Sequence, residues 1–312
     1  MNLPSTGPDG WHFAVEHDWG CLPPGRRWGL THAVASLPDG AVLILRDPAA
    51  DDPWRDTVVE LDAGGGFVRS FGAAYADGAH GLELGCEDGT TYLYLTSQRL
   101  GLCKLDLTGT EIWRFAKPEL YRVQWGLRWS PSNCAIAPDG RIYLADGYGS
   151  AFIAVLDRDG RELGLIGGPG SGPQHLWHPH GLAVDTRGPV PLLAVADNLH
   201  PGLHYLSLDG AHVGKSPCGL RDPRHVRIWG RNLLIPDLCG VVTVLGPDNA
   251  VLAHLGDAGL PLADLFPMRE RAPGALPHGT FVHPHDACPL GDDLLVVEWL
   301  THGRITRLHR LP

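Results

Sequence analysis

The stretch Asn133-Cys134-Ala135-Ile136-Ala137-Pro138-Asp139-Gly140-Arg141-Ile142-Tyr143-Leu144-Ala145-Asp146 reads as two short apolar strands joined by a Pro-Asp-Gly turn. Asp-Gly between apolar runs is a strong hairpin signal, because such turns need residues that tolerate positive φ. A third apolar run follows from Phe152 to Leu156, then an Asp159-Gly160 turn, then a fourth run from Glu162 to Ile166. The segment therefore spells a four-stranded antiparallel meander.

The same pattern recurs on both sides. Copies begin near His32, His80, Asn133, His180, His225 and His285, spaced 45 to 60 residues apart. That is the size of a four-stranded propeller blade. Hairpins between the third and fourth strands recur at 58–72, 103–116, 153–168, 203–215 and 242–256. The sixth copy ends at 305–311 and leaves no room for its fourth strand. The N-terminal stretch 11–16 is expected to fill that slot, which leaves no open sheet edge. The predicted fold is all-β: a six-bladed β-propeller of four-stranded blades in a single domain, 1–312. Residues 1–20 serve as the closing segment and the Pro-rich stretch 259–280 as a rim loop insertion. Residues 116–131 form a second long connection.

Composition agrees and narrows the function. There are 41 Gly and 27 Pro among 312 residues, as a turn-rich β-protein requires. A net charge of -10 argues against nucleic-acid binding, which needs a basic face. No run of about 18 apolar residues predicts a membrane span. Residues 1–6 show neither a basic nor an apolar leader region, so a cytoplasmic protein without a signal peptide is expected. The seven Cys form no CxxC pair, which suits reduced, mostly buried thiols. The expected partner is a small-molecule substrate; nothing calls for an obligate protein partner.

In a propeller the first strand of each blade lines the central channel. His32, His80, Asn133, His180, His225 and His285 share one register there. Several imidazoles at one level suggest a metal site, because three neutral imidazoles with an open position make a catalytic zinc-type centre. The second strands end in Arg46, Asp146, Asp197, Asp237 and Glu298. For the acids, turn capping is the competing explanation.

Several of these motifs together resemble a known family. They are Asp146-Gly147-Tyr148 after Ile142-Tyr143-Leu144, Ala79-His80-Gly81-Leu82, Pro179-His180-Gly181-Leu182-Ala183, Pro284-His285-Asp286, and the strand ending in Arg46. The chain resembles the peptidyl-α-hydroxyglycine α-amidating lyases, within the wider NHL-repeat propellers, from about His32 onward. The resemblance implies a metal held by His80, His180 and His285, most often zinc, with iron, cobalt or manganese as alternatives. It implies catalytic roles for Tyr148, Arg46 and Asp286. It also implies a structural calcium at Asp286 with backbone carbonyls near Val34 and Leu82. The implied reaction cleaves a carbinolamide C–N bond, giving an amide and glyoxylate.

The chain departs from the family at three points. Tyr148 is followed by Gly149 rather than Cys. The segment Asp197-Asn198-Leu199-His200-Pro201-Gly202-Leu203 lacks an expected Arg. His32 and His225, which with Asn133 are additional channel candidates, lie outside the pattern. The expectation is therefore a metal-dependent lyase acting on a small hydroxylated, carbinolamide-like molecule. Two alternatives stand beside it: a metal-dependent, lactonase-like hydrolase, for which Asn133, Asp237 and Glu298 would hold calcium, and a non-catalytic binding propeller.

Overall fold

The computed structural model describes residues 5–8, 10–200, 202–216 and 219–312. The thiol of Cys218 lies outside the described residues. The chain is nearly all-β and builds six four-stranded antiparallel blades, the β-propeller expected from the repeats.

Blade 1 comprises Leu30–Ser36, Val42–Asp47, Val58–Leu61 and Phe67–Phe71. Blade 2 comprises Ala79–Glu87, Thr90–Ser97, Gly101–Leu105 and Glu111–Phe115. Blade 3 comprises Asn133–Ile136, Ile142–Ala145, Phe152–Leu156 and Glu162–Gly167. Blade 4 comprises Pro179–Asp185, Leu192–Asp197, Leu203–Ser207 and His212–Ser216. Blade 5 comprises Arg227–Trp229, Asn232–Asp237, Val241–Leu245 and Val251–Leu255. Blade 6 takes Pro284–Leu290, Asp293–Glu298 and Arg304–Arg310 from the C-terminal end and Phe13–His17 from the N-terminal end. Phe13 pairs with Arg310 and His17 with Thr306, so the predicted closing strand is in place. Ser5–Thr6 adds a fifth strand at that edge.

The chain divides into two compact units. One holds Met1–Asp77 and Arg227–Pro312, and so blades 1, 5 and 6; the other holds Gly78–Val226, and so blades 2, 3 and 4. Each has its own apolar interior, because blades bury both faces of their inner strands. In the first unit, Phe13 and Val15 of the closing strand pack with Leu234, Val242, Phe281 and Leu308. In the second, Tyr143, Ile153, Leu182, Leu193 and Leu206 form the equivalent cluster. The inner strand Pro179–Asp185 is buried throughout, whereas the outer strand His212–Ser216 is largely exposed. Truncating one of these buried Leu to Ala is expected to cost about 2–5 kcal/mol.

The stretch 259–280 is more ordered than a bare loop. It holds a single helical turn, Leu262–Leu265, and two 3-10 turns, Phe266–Glu270 and Pro273–Ala275. Leu265 and Leu276 anchor it against Val282 and Leu300. The connection 116–131 carries the short helix Leu120–Val123 and buries Tyr121. Among the described residues no helix is long and apolar enough to cross a membrane. The six described Cys are free thiols; Cys21 and Cys86 are exposed and the other four buried.

Candidate active site

Four of the register histidines sit at irregularities in the ladder. The pairing jumps from Ala79 to Gly81, from Pro179 to Gly181, from Pro284 to Asp286 and from Thr31 to Ala33. The skipped residues are His80, His180, His285 and His32. A bulge releases a side chain from the ladder and re-aims it. The residue after His80 must be small: a Cβ on Gly81 would lie 2.7 Å from the Ser132 carbonyl oxygen. Asn133, in contrast, pairs regularly with Ala145.

In the second unit, His80 and His180 are almost fully buried, at 4% and 1% exposure. Their rings lie 4.9 Å apart, centre to centre. His80 Nδ1 donates to the Ser132 carbonyl at 2.8 Å, and His180 Nδ1 donates to the Arg224 carbonyl at 2.7 Å. A carbonyl only accepts, so both Nδ1 atoms carry hydrogen and both Nε2 atoms present lone pairs. A backbone carbonyl on the far nitrogen is the arrangement that orients metal-ligating histidines. The Tyr148 hydroxyl stands between the two lone pairs, 3.1 Å from His80 Nε2 and 2.7 Å from His180 Nε2.

Burial lowers the His80 pKa to about 4 and keeps the imidazole neutral; the hydrogen bond to the Ser132 carbonyl opposes the shift, and the charges of Arg224, His178 and His225 add to it. The two Nε2 atoms and the phenol oxygen converge within hydrogen-bonding distance and together make a nitrogen and oxygen donor set. The donor set therefore fits a zinc-type ion.

The loop that carries Tyr148 is held by Asp146. Its Oδ1 accepts the Ser130 amide at 2.7 Å, and its Oδ2 accepts the Tyr121 hydroxyl and the Ser150 amide. Asp146 thus acts as the strand-end cap anticipated for these acids. Burial raises the Tyr148 pKa, and Arg224 opposes the rise. The protein surroundings on balance therefore favour the neutral phenol. Arg224 bonds Asp222 through Nη2 at 2.8 Å, while its buried Nε finds no partner among the described residues.

Asn133 and His225 form a different assembly. The Asn133 amide group donates to His225 Nδ1 at 2.6 Å, and His225 Nε2 donates to Glu83 at 3.0 Å. His225 thus has the opposite tautomer and both nitrogens engaged, so neither it nor Asn133 offers a lone pair for a metal here.

In the first unit, His285 repeats the pattern of His80 and His180: its Nδ1 donates to the His32 carbonyl at 2.7 Å. The His32 and His285 rings meet edge to face at 4.9 Å. Asp286 is buried. Its Oδ2 accepts the Val34 amide at 3.0 Å and Arg227 Nη2 at 2.8 Å, and its Oδ1 accepts the Ala287 amide at 2.8 Å. Arg227 Nη2 also donates to the Val34 carbonyl at 3.1 Å. The cation beside Asp286 is the chain's own guanidinium, which corrects the expectation of calcium there. Calcium takes about six to eight oxygen ligands, and Asp286 and the Val34 carbonyl are already engaged.

Arg46 is corrected as well. It is fully buried and donates to the carbonyls of Trp28, Trp54 and Asp56 and to the Asp52 carboxylate at 2.6 Å. Trp54 lies under the guanidinium plane at 4.5 Å. Four donated bonds leave no open fork for a substrate carboxylate, so Arg46 is a structural anchor. Glu298 is likewise committed, to Arg304 and to the amides of Val282 and His283. Asp237 Oδ1 caps Cys239.

Glu83, Arg224 and Arg227 escaped the sequence reading. Glu83 is a charge flanked by leucines in an inner strand, Arg227 opens one, and Arg224 immediately precedes a register histidine; each position was a usable signal.

No family model matches the chain, and no curated protein matches it by sequence. Solved structures do match its fold. One is a gluconolactonase from Xanthomonas campestris, with TM-score 0.62, 14% identity, and coverage of 98% of this chain and 95% of the other. Another is a catalytically inactive histidine-to-alanine form of virginiamycin B lyase from Staphylococcus aureus, solved with quinupristin, with TM-score 0.59, 11% identity, and coverage of 96% and 100%. A third, of unknown function from Bacteroides thetaiotaomicron, has TM-score 0.62 at 14% identity, covering 95% of this chain and 75% of the other. At such identities the likeness concerns the fold.

Proposed function

We propose that this propeller is a metal-dependent lyase that cleaves a small hydroxylated, carbinolamide-like substrate. The observation that carries this reading is Tyr148 set between two imidazoles whose Nε2 lone pairs face it. His80 and His180 would hold the ion. The bound ion would polarise the substrate oxygen and favour the phenolate form of Tyr148.

The chain's own residues account for the rest. Tyr148 Oη accepts the hydroxyl proton of the carbinol carbon. As the C=O bond forms and the C–N bond breaks, the proton is returned to the departing nitrogen. Arg224, paired with Asp222, would bring its positive charge and a hydrogen bond to Tyr148 and so favour the phenolate. Neutral His80 stays a ligand because burial keeps its pKa near 4.

The solved virginiamycin B lyase, inactive in its histidine-to-alanine form, supports a lyase on this fold. A lactonase-like hydrolysis is the second reading, favoured by the gluconolactonase neighbour. Incubating the zinc-loaded protein with N-acyl-α-hydroxyglycines and with small lactones separates the two. Release of amide and glyoxylate is expected; lactone opening alone would select the second reading.

A further inference from the structure

Blade 4 carries a second cluster of ligating side chains. Asp197 ends its second strand, His200 lies in the turn that follows, and His204 is in its third strand. One ring nitrogen from each histidine and one Asp197 oxygen lie within 4.8 Å of one another. His200 Nδ1 is 3.8 Å from Asp197 Oδ2, and the two imidazoles stack with planes 20° apart.

His204 is the telling member. It is 6% exposed, and its Nε2 donates to the His200 carbonyl at 3.2 Å. That bond assigns the hydrogen to Nε2 and leaves Nδ1 as the lone-pair nitrogen, which is buried and makes no hydrogen bond. A buried acceptor without a donor is costly unless something occupies it. Asp197 is held in place by the backbone amides of Trp177 at 2.9 Å and His178 at 2.7 Å, and each oxygen keeps a lone pair. These are the supporting bonds that ligating carboxylates usually have.

Access is provided from outside. His200 is partly exposed and lines a cavity of about 600 Å³ with Leu176 and Trp177. The Trp177 indole packs on the His200 ring at 4.7 Å.

We propose that Asp197, His200 and His204 form a second metal site, taking a divalent transition ion of the zinc class. Two neutral imidazoles and one carboxylate suit such ions better than calcium or magnesium, and three ligands leave positions for water or a small ligand. The site shares no ligand with His80 and His180 and stands or falls separately from them.

The test is zinc titration by calorimetry of the full, chelator-stripped chain, alongside the variants His80→Ala, His200→Ala and His204→Gln. Circular dichroism checks folding, and His200→Ala serves if the buried His204→Gln does not fold. The expected result is two zinc ions in the parent chain, about one of them lost in His80→Ala and the other lost in His200→Ala. Cobalt in place of zinc should give visible absorption bands that His200→Ala weakens. Unchanged zinc uptake and cobalt spectrum in His200→Ala would overturn the site, even if His80→Ala lost its ion. Loss in His200→Ala alone would keep it and overturn the His80–His180 site instead.

Discussion

The Tyr148 hydroxyl lies within hydrogen-bonding distance of Nε2 on both His180 and His80, although both Nδ1 atoms carry the ring hydrogens. The proposed chemistry rests on this geometry: a cation held by the two nitrogens would free the phenol to exchange a proton with substrate.

Tyr148→Phe removes that oxygen and leaves both imidazoles. Zinc content should match the parent protein, while kcat for carbinolamide cleavage falls by about 10²–10⁴-fold, the usual worth of a positioned acid–base group. Steady-state kinetics on the metal-loaded variant decide it. Parent-like kcat would remove Tyr148 from the chemistry.

Acid should destabilise the metal-free protein. His80 and His178 are held down to about 4, chiefly by burial, whereas unfolded histidine takes up its proton near 6.5. Both groups therefore contribute stability that is full above 6.5 and is lost as the pH falls from 6.5 toward 4. Urea unfolding in chelator at pH 7.5, 6 and 5 should show a steady decline, shallower in His80→Gln. A flat profile over that range would contradict the neutral, buried imidazole.

Arg46→Met tests the structural role assigned to that side chain. It leaves Asp52 buried without its partner and should cost about 3–5 kcal/mol in denaturant unfolding. Activity per folded, metal-loaded molecule should stay near the parent level. A stable variant with collapsed kcat would return Arg46 to the catalytic group.

Arg227 makes a parallel prediction at Asp286. Millimolar calcium and a calcium chelator should leave the melting temperature of the parent protein unchanged, whereas Arg227→Met should lose on the order of 3 kcal/mol. A clear rise in the parent's melting temperature with calcium would contradict the guanidinium as the cation of that site.

Much of this was legible in the sequence because the blade repeats itself. Turns such as Pro138-Asp139-Gly140 and the alternation around them fix the strands, and the short sixth copy calls for the N-terminal strand that pairs Phe13 with Arg310. His80, His180 and His285 were legible from register, although the bulges that aim them were not, since a bulge depends on which partner residue is skipped. Arg46 was misassigned because position at a strand end does not reveal which carbonyls surround a side chain. The calcium at Asp286 was misassigned for the same reason: Arg227 lies 59 residues away in sequence, and its 2.8 Å contact exists only in the folded chain.

Metal content per chain of the untagged protein, by inductively coupled plasma mass spectrometry, tests the central claim most directly. His80→Ala and His180→Ala should each lower the zinc-class ion content by about one per chain relative to the parent, with the fold intact by circular dichroism. Parent-level metal in both variants would contradict the proposed centre.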